Sequence, residues 1–275
     1  MVALGVGALG LAGCSAETTA QLGRLGLPVA AGDRSPYTHD LWIGSWIAAF
    51  AVGLLVWGMI GWCVVRYRRR GPGVPRQNRY NLPIEILYTV TPFIMIGVLF
   101  YYTVITQQQV QAPIEEPDQE ITVIAQKWAW SFNYDVTDEP EVGEPVWEAG
   151  TIESPANLYL PVGESVKFNL ESVDVIHSFW VPAFYSKLDV VPGRHNTFYV
   201  TPTKEGVFAG KCAELCGTYH SAMLFNVHIV SKAEYLEHMQ SLQDKEQTGE
   251  LKIASNANRV PQRPEAEHAE DGEEG

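Results

Sequence analysis

The hydrophobic pattern divides the chain into an apolar first part and an alternating second part. Leu41 to Val65 carries no charge over about 25 residues, enough at ~1.5 Å per residue to cross the hydrocarbon core of a bilayer. Trp42, Trp46 and Trp62 lie near its ends, where amphipathic aromatic rings favour the interface. A second apolar stretch runs from Leu82 to about Ile105, with Pro83 near its first turn and Pro92 placed to bend it. Between the two lie Arg66, Arg68, Arg69, Arg70, Arg76 and Arg79, which the positive-inside rule assigns to the cytoplasmic side. The pattern therefore predicts a transmembrane hairpin over 41–105, with spans near 41–65 and 82–105. Residues 15–40 precede it as a polar, extended, extracytoplasmic lead-in.

From Ile121 the period changes from helical to two. Ile121 to Tyr134 reads I-T-V-I-A-Q-K-W-A-W-S-F-N-Y, rich in β-branched and aromatic residues. Short strands are expected over 158–160, 165–170, 178–181, 194–200, 206–211 and 223–230. An acidic stretch over 135–150 is expected as a loop or excursion. Many short strands with turn signals between them predict an antiparallel sandwich or barrel over 106–231. Tyr235, Leu236, Met239 and Leu242 then fall on one helical face within 231–247. Residues 232–275 are expected to form this short helix and an acidic, disordered tail.

Charge follows the same division. The net charge is −13, but residues 1–105 hold eight Lys/Arg against four Asp/Glu, and residues 106–231 hold six against seventeen. So acidic an outer domain disfavours nucleic acid as a partner and suits a basic one. Residues 1–14 form a short apolar run ending in Leu11-Ala12-Gly13-Cys14, too short to span a bilayer. That ending resembles the bacterial lipobox, which implies lipidation of Cys14, although no basic residue precedes it. Cys63, inside the first apolar run, reads as a packing residue.

The densest chemistry lies in Lys211 to Met223, K-C-A-E-L-C-G-T-Y-H-S-A-M. Thiolate, imidazole and thioether together favour copper over zinc. One cysteine would fit a mononuclear blue-copper loop. Two can bridge a metal pair, each ion then needing a histidine and a weak axial ligand. His177 supplies the second imidazole, and the backbone carbonyl of Glu214 lies between the cysteines. A Cys212–Cys216 disulfide would leave His177, His220 and Met223 unexplained, and zinc sites rarely recruit a methionine.

C-x-E-x-C-x3-H-x2-M, with D-V-I-H-S-F upstream, resembles the dinuclear copper (CuA) site of the cytochrome c oxidase subunit II family. The resemblance covers roughly residues 40–231 and implies a cupredoxin fold. It also implies copper ligation by His177, Cys212, Glu214 through its main-chain oxygen, Cys216, His220 and Met223. The implied activity is electron transfer from cytochrome c to the copper pair and on to haem in subunit I, where oxygen is reduced and protons move. W-A-W-S-F-N-Y matches the family's aromatic stretch, so Trp128 is the implied site at which electrons come in. Glu85 falls where the family places a glutamate at the mouth of a proton channel. Asp189 and Arg194 match a loop facing the haem subunit, and the Glu214 carboxylate matches a contact to a shared magnesium ion. Asp174, three residues before His177, is a candidate charge for docking cytochrome c. The implied partners are subunits I and III, a free, tethered or fused cytochrome c, and lipid of the cell membrane, with the β domain outside. A copper-delivery or copper-storage lipoprotein is the rival reading, for which exposed Met/His-rich ligands would be expected. A quinol oxidase subunit would lack the two cysteines.

Overall fold

A computed structural model describes residues 16–74 and 77–253. After a short helix α1 (Ala16–Gly23) come two long ones, α2 (Ser35–Arg66) and α3 (Leu82–Val110). Each of the long helices starts with proline in its first turn, where the missing N–H costs nothing. Both extend beyond the apolar runs that predicted them. Only Ser35 is buried in α2 and nothing in α3, so their apolar faces are turned outward. Both are long and apolar enough to cross a membrane. Cys63 is exposed on α2 rather than packed within the chain.

The lead-in is not simply extended. Beyond α1 it is sewn to the β domain. The Ala31 N–H donates to Ala183 O at 2.8 Å, Thr203 N–H donates to Ala31 O at 2.8 Å, and Gly32 bridges Pro202. A Cβ on Gly32 would lie 2.9 Å from Val200 Cγ2, so the strand can approach this closely only without a side chain. Arg34 donates to Val110 O at 2.9 Å and to Ala112 O. One guanidinium thus satisfies carbonyls at the end of α3 from the start of α2. Backbone pairing, invisible to a hydrophobic pattern, is what orders this polar segment.

Ten strands follow among the described residues: β1 (Gln119–Gln126), β2 (Ala129–Asp135), β3 (Val146–Ala149), β4 (Ala156–Pro161), β5 (Val166–Ser172), β6 (His177–Val181), β7 (Ser186–Val190), β8 (Asn196–Val200), β9 (Gly206–Cys212) and β10 (Leu224–Val230). They form two five-stranded sheets, ordered β3-β2-β1-β5-β8 and β4-β10-β9-β6-β7. Alternation places Val166, Phe168 and Leu170 of β5 inside and Lys167 and Asn169 outside. Trp130, Phe132, Phe179 and Phe225 fill the space between the sheets at the end where β6, β9 and β10 meet. The all-β sandwich after a helical hairpin is as the sequence predicts.

Three details differ. Each sheet contains one parallel pair, β1 with β5 and β4 with β10, so the sandwich is not wholly antiparallel. The 135–150 stretch contains β3, whose Val146 is fully buried against β2. The strand β7 gives little hydrophobic signal because only Val190 is buried in it. A last helix, α4 (Lys232–Asp244), starts with a capping box between Ser231 and Glu234 and buries Tyr235, Met239 and Leu242.

Candidate metal centre

Cys212 ends β9, and the chain returns through residues 213–223 to begin β10 at Leu224. Three backbone bonds close this loop onto the sheet. Cys212 N–H donates to Met223 O at 3.0 Å, Ala213 N–H to Ser178 O at 3.0 Å, and His220 N–H to Gly217 O at 3.1 Å. The indole of buried Trp130 donates to Met223 O at 3.3 Å. His177 opens β6, whose Phe179 lies opposite Cys212 on β9. The β6–β9 pairing therefore brings together residues far apart in sequence.

The donor atoms converge. Cys212 Sγ lies 3.9 Å from Cys216 Sγ, 3.8 Å from His177 Nδ1 and 3.2 Å from the Glu214 carbonyl oxygen. Cys216 Sγ lies 3.6 Å from His220 Nδ1 and 3.7 Å from Met223 Sδ. Ligating atoms of His177, Cys212 and Cys216 all lie within 4.8 Å of one another, and all three residues are buried, as is Met223. Each sulfur thus has its own imidazole, and all six candidate ligands lie in one cluster. The cysteines are free thiols.

His177 Nε2 lies 2.8 Å from Asp174 Oδ1, which fixes the ring and leaves Nδ1 aimed at Cys212. Asp174 also accepts from the backbone N–H of Lys127 at 2.7 Å and of Val175 at 2.6 Å. The spacing of Asp174 and His177 was legible in the sequence, but read only as a surface charge. In the structure this carboxylate first orients a candidate ligand. Burial raises the Asp174 carboxyl, but the His177, Lys127 and Val175 hydrogen bonds outweigh it and hold the group below its ordinary range. Burial lowers His177, but Cys212 and Asp174 hold it above its ordinary value. Burial pushes the Cys212 thiol up, yet hydrogen bonds from His177 and from the loop backbone bring it down to about 6. Burial and the Cys212 charge together push Cys216 up to about 12. The surroundings thus favour one thiolate facing one thiol.

Trp128 is half-buried and packs against the same loop. A Cβ on Gly217 would lie 3.2 Å from its indole, and Gly217 has φ +125°, so glycine is needed there on both counts. The Tyr219 ring meets Trp128 on another side. Sequence reading did not single out Gly217 or Tyr219, because nothing in the chain announces which ring packs on which loop.

Asp189 and Arg194 are exposed, and no ion pair joins them among the described residues. Arg194 N–H closes a turn to Val191 O at 3.1 Å. The Glu214 side chain is exposed. Glu85 lies in the first turn of α3, where its carboxylate accepts from Asn81 N–H at 2.9 Å. Cys14 lies outside the described residues, as does the 254–275 tail.

Comparison with known proteins gives one answer. The family model described as the periplasmic domain of cytochrome c oxidase subunit II matches residues 120–230. The chain is 43% identical over 270 residues to a probable cytochrome c oxidase subunit 2 of Streptomyces coelicolor, covering 86% of this chain and 84% of that one. It is 33% identical over 306 residues to cytochrome c oxidase subunit 2 of Mycobacterium tuberculosis, covering 92% and 84%. Among solved structures, the periplasmic domain of subunit II of cytochrome oxidase of Bradyrhizobium japonicum is 26% identical. It covers 48% of this chain and 99% of its own, with a TM-score of 0.42.

Proposed function

Because the chain belongs to the cytochrome c oxidase subunit II family, we propose that its loop cluster holds a dinuclear copper centre that receives electrons from cytochrome c. The observation that carries this is the convergence of two buried sulfurs, each with its own imidazole nitrogen within 4 Å. The donors fit copper. Two thiolates, two imidazoles, one thioether and one carbonyl make a soft set, and no carboxylate oxygen lies among them. Bound there, a copper pair supplies a one-electron relay. The chain's own residues supply the rest. Asp174 holds the His177 tautomer, and the β6–β9–β10 frame holds the cysteines and Met223 at fixed separations. A frame that does not move favours fast transfer, because little has to rearrange when the charge changes.

In this reading Trp128 is the residue through which electrons come in, since its indole lies on the loop between Cys216 and His220. Exposed Asp189 and Arg194 face the haem-bearing subunit I, and the Glu214 carboxylate contributes to a magnesium site shared with it. The acidic domain attracts cytochrome c, with Asp174 contributing to that field. The spanning helices anchor the chain in the cell membrane beside subunits I and III, with a lipid on Cys14 and the β domain outside. A copper-delivery role fits poorly, since His177, Cys212, Cys216 and Met223 are buried and strand pairing frames the cluster, whereas delivery calls for exposed, flexible ligands. Metal analysis and electron paramagnetic resonance of the purified chain test the centre. Two coppers per chain with one electron shared between them are expected. Cys216→Ser should abolish that signal, and Met223→Leu should retain metal with a shifted potential. One copper per chain, or an electron localised on one metal, rules the proposal out.

A further inference from the structure

The indole of Trp128 packs against two residues of the same loop: Gly217, which follows Cys216, and Tyr219, which precedes His220. The Tyr219 and Trp128 ring centroids are 4.9 Å apart at 84°, an edge-to-face pair. Trp128 Nε1 is buried without a hydrogen-bond partner, so no polar contact fixes the indole. Its orientation rests on packing, and the Tyr219 ring that packs on it is itself 51% exposed. We propose that Tyr219 is a positioning residue for electron transfer: its ring, packed at right angles on the Trp128 indole, keeps that indole on the loop at Gly217, next to Cys216. The inference rests on the reading of Trp128 as the residue through which electrons come in.

The ring, not the hydroxyl, does this. No hydrogen bond from the Tyr219 hydroxyl joins it to Trp128, and a phenyl ring presents the same edge. Without the ring, the indole gains freedom to tilt away from the loop. Electron transfer depends steeply on contact, whereas docking depends on the whole acidic face. Each transfer oxidises the donor haem by one electron and reduces the metal centre by one.

The test uses the chain in its oxidase complex and a reduced soluble c-type cytochrome, followed by stopped flow. In Tyr219→Ala the first-order rate at saturating donor should fall by about tenfold or more, as an ~1 Å misplacement can cause. The donor concentration giving half the maximal rate should stay within about twofold, since docking is not what is lost. Tyr219→Phe should transfer at the wild-type rate. A second readout needs no copper. In the metal-free full chain labelled with 5-fluorotryptophan, the fluorine resonance that disappears in Trp128→Phe should shift in Tyr219→Ala and return in Tyr219→Phe. If Trp128→Phe is slow but Tyr219→Ala is as fast as wild type, the inference fails and the role of Trp128 stands. If Trp128→Phe is itself as fast as wild type, the reading beneath the inference fails. A Tyr219→Phe variant as slow as Tyr219→Ala also overturns it.

Discussion

At the scale of single residues, the two metal-loop cysteines are chemically alike in sequence and unlike in place. Cys212 is brought down to about 6 by His177 and backbone donors, while Cys216, facing that thiolate, is pushed up to about 12. A metal needs both sulfurs ionised and both imidazoles neutral at the ligating nitrogen. Uptake must therefore displace the Cys216 proton throughout the physiological range. Affinity should fall as pH falls, by about tenfold per unit for each proton displaced. Below about 6 Cys212 also takes up a proton, and the slope should steepen. Competition titration against a chelator of known affinity at several pH values measures it, and a pH-independent affinity would contradict this account. That the thiols are candidate ligands is legible from their spacing. That they differ is not, because the difference comes from β6 and from each other.

At the scale of elements, the β9–β10 hairpin carries the site and has almost no slack. A Cβ on Gly210 would lie 2.1 Å from the Phe225 ring of the paired strand. Phe225 cannot simply turn aside, since it stacks on Phe179 at 5.1 Å and also touches Trp130 and Phe132. Gly210→Ala should therefore cost ~1–3 kcal/mol or more, the scale of overpacking in a core. The shift should reach Cys212, two residues on, and lower metal retention. Thermal unfolding and copper content report the two effects. The double variant Gly210→Ala/Phe225→Leu should recover part of the loss, and an unchanged melting temperature in the single variant would show that the hairpin can spread freely. The period-two pattern gave the existence of β9 and β10. It could not show that position 210 must be glycine, which follows only from the cross-strand neighbour.

At the scale of the whole molecule, two functions are assigned to opposite ends. The candidate ligand cluster lies in the β domain, and Glu85 lies in the first turn of α3, beyond the Arg loop. Glu85 also caps its helix through Asn81 N–H, a contact that could be its entire role. Glu85→Gln separates the two, because the amide oxygen of glutamine accepts the same bond but cannot carry a proton. The variant should fold normally and be reduced by cytochrome c at the wild-type rate, yet turn over severalfold more slowly. Wild-type turnover would leave Glu85 as a helix cap and nothing more.

The sequence by itself determined the two apolar spans, the change to strand period and the identities of the candidate metal-binding side chains. Each of these is written in local pattern: an uncharged run, an alternation, or cysteines four apart. The tertiary structure alone decided the rest, because each remaining feature depends on contacts between distant segments. Sheet order brought His177 to Cys212, and a carboxylate read as surface charge became the partner of His177 Nε2. A polar lead-in gained its order from pairing with Pro202 and Ala183. An aromatic residue in the metal loop, unmarked in sequence, was placed edge-on to Trp128. Backbone hydrogen bonds and ring contacts carry no periodic signature, so only the folded chain reveals them.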